Sequence, residues 1–344
     1  MNFADADFLA WSCAHPDGVA DQFHQRLDNG TELQLWDSGV LVAEPAQAGD
    51  KQVVISCAVH GNETAPIELL RDMVADVRSG KLQLAHRTLF LIANPASINA
   101  GRRFVEENMN RLFSGEHSNA PGMINPERER AAKLEQYVQQ FYSAAEADEK
   151  TRLHYDLHTA IRDSAHEKFA VYPFLHGKPY SKEQLSFLRD CGVTTILLNQ
   201  EPTTTFSYFS SAHCQAHAFT VELGKVKPFG ENDMRRFADA DRSLRRLLSE
   251  SAPQWSAFDS DKHQIYEVAR TINRTQQDFR LHFADDVANF TPFQQGELLA
   301  TDGDIEYRVE QPQERIIFPN AKVAIGQRAL LTVVEIPAQR LQLV

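Results

Sequence analysis

The chain contains no apolar run near the roughly 18 residues that a bilayer span requires, so no membrane-spanning segment is expected. Positive charge is scarce: 35 Lys and Arg stand against 47 Asp and Glu, for a formal net charge of −12. A chain this acidic lacks the basic face that nucleic acid or an anionic membrane surface needs, and neither is an expected partner. A small anionic substrate is still admitted, because a few arginines in a low-dielectric cleft outweigh a distant negative surface. Cysteine is sparse too. Cys13, Cys57, Cys191 and Cys214 lie far apart and form no CxxC pair. That spacing argues against a four-thiolate zinc site and a disulfide framework, and for reduced, mostly buried thiols in a cytoplasmic protein. The opening "MNFADADFLAWSCAHPDG" has acidic residues where a secretory signal carries Lys or Arg.

With 42% hydrophobic and 24% charged residues, the composition is that of a globular protein. A length of 344 residues predicts one large domain with a smaller one, or two domains. "TELQLWDSGVLVAEP" reads as two strands around a Ser-Gly turn. "QVVISCAV" is a continuous apolar run rich in β-branched residues, the pattern of a strand covered on both faces. Ile67, Leu70, Met73, Val74 and Val77 then recur at helical spacing, with Pro66 in the first turn and Gly80 just past the end. "TLFLIANP" is a second buried strand, and the β-α-β order predicts a parallel or mixed sheet.

"SGEHSNAPG" reads as an exposed loop. Asn125 caps a helix that has Pro126 at its first position and Leu134, Tyr137, Val138 and Phe141 as its apolar stripe. "RLHYDLHTA" alternates as a strand does, and more strands are predicted at "KFAVYPF", "TTILLN" and "AFTVEL". "SKEQLSFLRDCG" reads as a helix with a Ser181/Gln184 capping box, and "ENDMRRFADADRSLRRLLSE" as another. From Ile265 onward the segments are strand-like, with Asp302-Gly303 as a hairpin turn. The expected architecture is therefore α/β: a mixed sheet flanked by helices over residues 1–255, then a small β-rich domain over residues 256–344.

The chemistry gathers at strand ends, where open α/β sheets bind ligands. His60 follows the apolar run directly, and Glu63 opens the next helix. Imidazole and carboxylate are both good zinc ligands, although a Glu in a first helical turn is also favoured by the macrodipole alone. "LHYDLHTAIRD" supplies a third ligand: His158 stands where its strand stops and can point into the same crevice. His154 and Asp156 share its face by the two-residue period. His154 is about 13 Å back along the strand, too far to share the ion, and is expected to pack in the core. Asp156 either orients a ligand imidazole or makes a buried structural hydrogen bond.

Four motifs occur in order: "HGNETAP", "NPASINAGRRFVEENMNRLF", "DLHTAIRD" and "FTVELGK". The set resembles the succinylglutamate desuccinylase/aspartoacylase family, a branch of the zinc-carboxypeptidase-like fold, over nearly the whole chain. The resemblance implies one Zn2+ per subunit on His60, Glu63 and His158, with Glu222 as general base. Arg103 falls where the family keeps a catalytic and substrate-contacting residue, and Asn110 and Arg111 where it binds substrate. Guanidinium groups suit a substrate that bears carboxylates, because they engage them as a two-toothed fork. Arg102 is expected to point away, and Arg162 is a weaker candidate. Aspartoacylases carry a tyrosine of the C-terminal domain near the substrate carboxylate. No tyrosine follows Tyr307 here, where the matching stretch reads "FPNAKVAIGQRA". The implied reaction is zinc-dependent hydrolysis of N-succinyl-L-glutamate to succinate and L-glutamate, the last step of an arginine-degrading succinyl pathway. Hydrolysis of another N-acylamino acid, zinc carboxypeptidase activity and a noncatalytic metal module are the alternatives.

Overall fold

The apolar run "QVVISCAV" becomes, as far as Cys57, a central strand in which every residue is buried, as continuous hydrophobicity predicts for a strand covered on both faces; Ala58 and Val59 already belong to the turn that follows. The structure, a computed structural model, describes residues 7–19, 22–143 and 150–344; the start of the acidic N-terminal stretch, residues 1–6, lies outside them. Helix α1 (Phe8–Ala14) precedes strands β1 (Phe23–Arg26), β2 (Glu32–Asp37), β3 (Val40–Glu44) and β4 (Lys51–Cys57). Then come α2 (Thr64–Arg78), β5 (Arg87–Ile92), α3 (Pro95–Asn99) and α4 (Pro126–Tyr142). They are followed by β6 (Thr151–Ala160), β7 (Phe169–Tyr172), α5 (Lys182–Asp190), β8 (Thr195–Leu198), α6 (Phe206–Cys214), β9 (His217–Lys225) and α7 (Ala238–Ser249). The last part holds β10 (Gln264–Asn273), β11 (Arg280–Leu281), β12 (Leu298–Asp302), β13 (Ile305–Arg308), β14 (Arg315–Ile317) and β15 (Arg328–Ile336).

Among the described residues one mixed sheet of 12 strands runs in the order β1-β2-β3-β5-β4-β6-β9-β7-β8-β10-β15-β14. Its centre is parallel: β5, β4, β6 and β9 point the same way. From β4 the chain crosses to β5 on one side, while β6 lies on the other, so a crevice opens at the carboxyl ends of β4 and β6. Side chains of β4 divide by the two-residue period. Val53, Ile55 and Cys57 pack with Ile67, Leu70, Met73, Val74 and Val77 of α2 on one face. Val54 packs with Leu134, Val138 and Phe141 of α4 on the other.

The last third is not a separate sheet alone. Strand β10 pairs parallel with β8, so β10, β15 and β14 extend the main sheet, and β11, β12 and β13 form a small sheet of their own. This is the mixed α/β fold with a small β-rich C-terminal part that the segment pattern implies. No helix of the described residues is long and apolar enough to cross a membrane.

Several local expectations shift. Strand β6 forms as the apolar-polar alternation predicts, yet its residues from Leu153 onward are all buried, because β4 and β9 flank it and helices cover both faces. The hairpin turn falls on Gly303-Asp304, one residue later than its sequence suggests, since Asp302 still pairs with Ile305. The Asp302 carboxylate instead accepts hydrogen bonds from the backbone of Thr275 and Gln276. The capping box at α5 is half made. Ser181 accepts from the Gln184 N–H at 3.3 Å, but the Gln184 side chain accepts from the Tyr155 hydroxyl instead of reaching back. "SGEHSNAPG" contains a 3-10 turn at Glu116–Ser118 that buries His117. Asn125 caps α4 as expected, accepting from the Arg128 N–H at 2.9 Å while donating to Glu107 at 2.9 Å. Asn125→Ala should therefore cost about 1–2 kcal/mol in a urea unfolding titration. A stability equal to the parent's would mean that solvent caps this helix as well as the side chain does.

Candidate metal centre and active site

The turn after β4 is tightly specified. Ala58 takes a left-handed conformation at φ 59°, unusual for a residue with a Cβ, and swings the chain toward His60. Gly61 admits no side chain: a Cβ there would lie 2.2 Å from the Ser97 carbonyl carbon in the middle of α3. Glu63 occupies the N-cap position of α2 but makes no capping hydrogen bond. Its carboxylate turns instead into the crevice, with Oε1 at 2.9 Å from His60 Nδ1 and Oε2 at 2.9 Å from His158 Nδ1.

One ligand atom from each of His60, Glu63 and His158 lies within 4.8 Å of the others, and all three residues are buried. The far nitrogens are fixed from behind. His60 Nε2 donates to Asn108 Oδ1 at 2.9 Å, and His158 Nε2 to Asp156 Oδ2 at 2.7 Å. An amide oxygen accepts only, so neutral His60 carries its proton on Nε2 and turns a bare Nδ1 toward the Glu63 carboxylate. That Nδ1 has no hydrogen-bond partner. Two lone pairs facing each other at this distance call for a cation, and two imidazoles with one carboxylate are the donor set of an open zinc site.

The charges agree with that geometry. Burial, then the Arg103 guanidinium, lowers His60 to about 4, so it is neutral at pH 7. Burial alone would raise Glu63, but His60, His158 and Arg103 hold it well below the usual carboxylate range. Burial would lower His158, yet Asp156 and Glu63 lift it well above an ordinary imidazole. Behind it runs a buried chain in which Ser56 donates to Asp156 at 2.5 Å and contacts His154 Nε2 at 2.8 Å. His154 Nδ1 meets the Ser210 hydroxyl at 2.7 Å, so His154 is a core histidine, as expected. Asp156 fits both readings: one carboxylate oxygen contacts His158 Nε2, and the other accepts the buried hydrogen bond from Ser56.

Glu222 stands directly across from His158 in the β6–β9 register. Gly224 lies in a bulge: His158 and Ala160 face Glu222 and Lys225, so β9 has one residue more than β6 there. Burial, then the Glu63 charge, raises the Glu222 carboxyl to about 7. Its Oε2 is sealed from solvent without a partner.

Arg103 reaches Glu63 Oε1 with Nη1 at 2.6 Å. The loop that carries it is clamped by Glu127 of α4, which accepts from the N–H groups of Val105, Glu106 and Glu107 at 2.6, 2.8 and 3.0 Å. Asn110 Oδ1 accepts from Phe206 N–H at the start of α6, which joins this loop to that helix. Arg111 Nη1 donates to the Asn110 carbonyl. Arg102 is exposed, as expected. Arg162 is spent on carbonyl oxygens of Pro319, Asp285 and Val287, which makes it a latch to the C-terminal part.

Two adjoining cavities of about 610 and 360 Å³ open here and share Arg103, Arg111, Glu222, Phe318, Gln327 and Arg328 as walls. His60 and His158 line the larger one. Asn108 and Arg328 are among the residues named above that the sequence reading does not single out. Asn108 was findable, by asking what orients the far nitrogen of His60 and looking just ahead of Asn110. Arg328 left no local signal, because β15 brings it in from a distant part of the chain.

Comparison with known proteins gives the family of the chain. Residues 49–248 match the succinylglutamate desuccinylase/aspartoacylase catalytic domain, and residues 261–336 the AstE/AspA barrel-sandwich hybrid domain. The chain is 61% identical to a succinylglutamate desuccinylase of Idiomarina loihiensis over 344 residues, covering 100% of both chains. It is 53% identical to one of Shewanella denitrificans, covering 98% of this chain and 97% of the relative. The crystal structure of the succinylglutamate desuccinylase from Chromobacterium violaceum superposes with a TM-score of 0.84 at 39% identity, over 96% of this chain and 98% of that one. With a matching catalytic domain and relatives similar from end to end, the chain belongs to the succinylglutamate desuccinylase/aspartoacylase family.

Proposed function

We propose that the protein hydrolyses N-succinyl-L-glutamate to succinate and L-glutamate, using one Zn2+ held by His60, Glu63 and His158. The observation that carries this reading is a three-ligand cluster with an unpartnered buried carboxylate, Glu222, in the same cavity. Full-length similarity to succinylglutamate desuccinylases supports the substrate. When bound, zinc lowers the pKa of a water toward neutrality and polarises the amide carbonyl. Glu222 accepts the proton of the attacking water and delivers it to the departing amine nitrogen. Arg103, held by Glu63, directs its remaining N–H groups at the developing oxyanion; such donors contribute about 3 kcal/mol in well-studied hydrolases. Asn110 and Arg111 grip a substrate carboxylate and set the scissile bond against Glu222.

We also propose that residues 1–255 form the catalytic domain and 256–344 a small β-rich domain that walls the cleft. The four free thiols support a cytoplasmic location, with this step ending an arginine-degrading succinyl pathway. The test is metal content measured with activity on N-succinyl-L-glutamate, N-acetyl-L-aspartate and a dipeptide, before and after chelation. Preference for the first, lost with the metal and restored by zinc, is the expected result. Full activity after complete chelation, or preference for another substrate, contradicts it. Arg111→Lys should raise the Michaelis constant roughly tenfold, since the charge stays but the two-toothed fork is lost. An unchanged Michaelis constant removes Arg111 from substrate binding.

A further inference from the structure

We propose that Arg328, brought in by β15 of the C-terminal part, joins Arg111 in clamping one carboxylate of the substrate, and so determines specificity. This rests on the reading of the cleft as an N-succinylglutamate hydrolase.

Arg103, Arg111 and Arg328 line both cavities. Among the described residues, Arg103 alone of the three has a carboxylate partner, Glu63. Among the described residues, Arg111 donates only to a backbone carbonyl, and Arg328 pairs with no acidic group. Arg328 Nε is sealed from solvent with no acceptor. Its guanidinium carbon lies 5.3 Å from the centre of the Phe318 ring, so the aromatic face supports the fork without satisfying its N–H groups. The backbone is built to aim this side chain. Arg328 pairs with Asn273 at a register shift, where a bulge redirects side chains, and Gln327 next to it accepts from the Arg274 N–H at 3.0 Å.

Crowding half-buried like charges in a cleft without a counter-ion is costly. Burial, then Arg328 and Arg103, holds Arg111 well below an ordinary guanidinium, and burial with Arg103 brings Arg328 to about 10. An anion is what the pair lacks, and a carboxylate matches the fork geometry of each guanidinium. N-Succinylglutamate offers three: the distal succinyl group and the α- and γ-carboxylates of the glutamate.

The experiment compares zinc-loaded parent, Arg328→Gln and Arg328→Lys on four substrates. These are N-succinyl-L-glutamate, N-acetyl-L-glutamate without the acyl carboxylate, N-succinyl-L-glutamine without the γ-carboxylate, and N-succinyl-4-aminobutyrate without the α-carboxylate. Arg328→Gln should lower kcat/KM on N-succinyl-L-glutamate ten- to hundredfold, mostly through KM. On the one substrate lacking the clamped group it should change kcat/KM less than twofold, which also identifies that group. An equal loss on all four substrates, or no loss on any, overturns the proposal. Lys133→Gln, exposed on α4 and on the wall of neither cavity, is the control and should match the parent. If Arg328→Gln fails to fold, Arg328→Lys carries the same comparison, because it retains the charge but not the fork. If the parent hydrolyses none of the four, the function proposed above fails, and the clamp is judged by calorimetry with succinate and L-glutamate. Binding of either that weakens tenfold or more in the variant supports it; equal or absent binding overturns it.

Discussion

Glu222→Ala should keep its metal and lose at least about a hundredfold in turnover, up to about 10⁴-fold, the span of general acid–base effects. Glu222 is not one of the three clustered ligands, so metal content should equal the parent's. Glu222→Gln should lose as much, since the amide keeps the volume but cannot accept the water's proton. Normal turnover in either variant excludes Glu222 as the base. The pH profile follows from the same carboxyl. A base must be ionised, so kcat/KM falls as pH drops through its pKa. Burial with the Glu63 charge sets that group at about 7, and a cation on the neighbouring ligands draws it down. The acid limb of the loaded enzyme should therefore lie below 7 and vanish in Glu222→Gln. An acid limb of unchanged position in that variant would assign it to another group.

What could be read from the sequence is what short-range rules control. Strand β4 and helix α2 were legible because continuous apolar residues and a 3.6-residue repeat report burial directly. The cluster His60, Glu63 and His158 was legible because each lies at the carboxyl end of a central strand or just past it, where the fold class puts ligands. Helix α6 was not. "FSYFSSAHC" is made of middling helix formers, and its helix rests on the Thr205 cap, which accepts from the Tyr208 N–H at 3.4 Å, and on burial of Phe206 and Phe209. Asp302 was misplaced for a related reason. Asp-Gly is the usual hairpin signal, but here the carboxylate is claimed by the Thr275 turn, and pairing continues through it. Arg328 depends on how β15 meets β10, a contact between distant parts of the chain for which no local pattern exists.

Glu63→Gln should cost more than any substrate-contact variant, because this one carboxylate serves several groups. It contacts both ligand imidazoles, binds Arg103 at 2.6 Å and accepts from the Thr159 N–H at 3.1 Å. Removing its charge leaves the Arg103 guanidinium without its acidic partner and gives the ion a neutral ligand in place of an anionic one. Partners that only orient a ligand already contribute about ten- to hundredfold to metal affinity. Replacing the charge of a direct ligand by a neutral amide should exceed that, so Glu63→Gln purified without added zinc should be nearly metal-free and inactive. Metal uptake should also displace protons. Both nitrogens of His158 face carboxylates, at 2.9 Å from Glu63 and 2.7 Å from Asp156, so the ring is doubly protonated at pH 7 in protein stripped of metal. A ligand imidazole must surrender its Nδ1 proton, so at least one proton should be released per zinc bound, with a further fraction from Glu222 as the cation draws that carboxyl down. Affinity then rises with pH until His158 deprotonates unaided. Calorimetry in buffers of different ionisation enthalpy measures that proton directly. Zinc binding without proton release, or a Glu63→Gln protein with a full complement of metal, would show that the ion is held somewhere else.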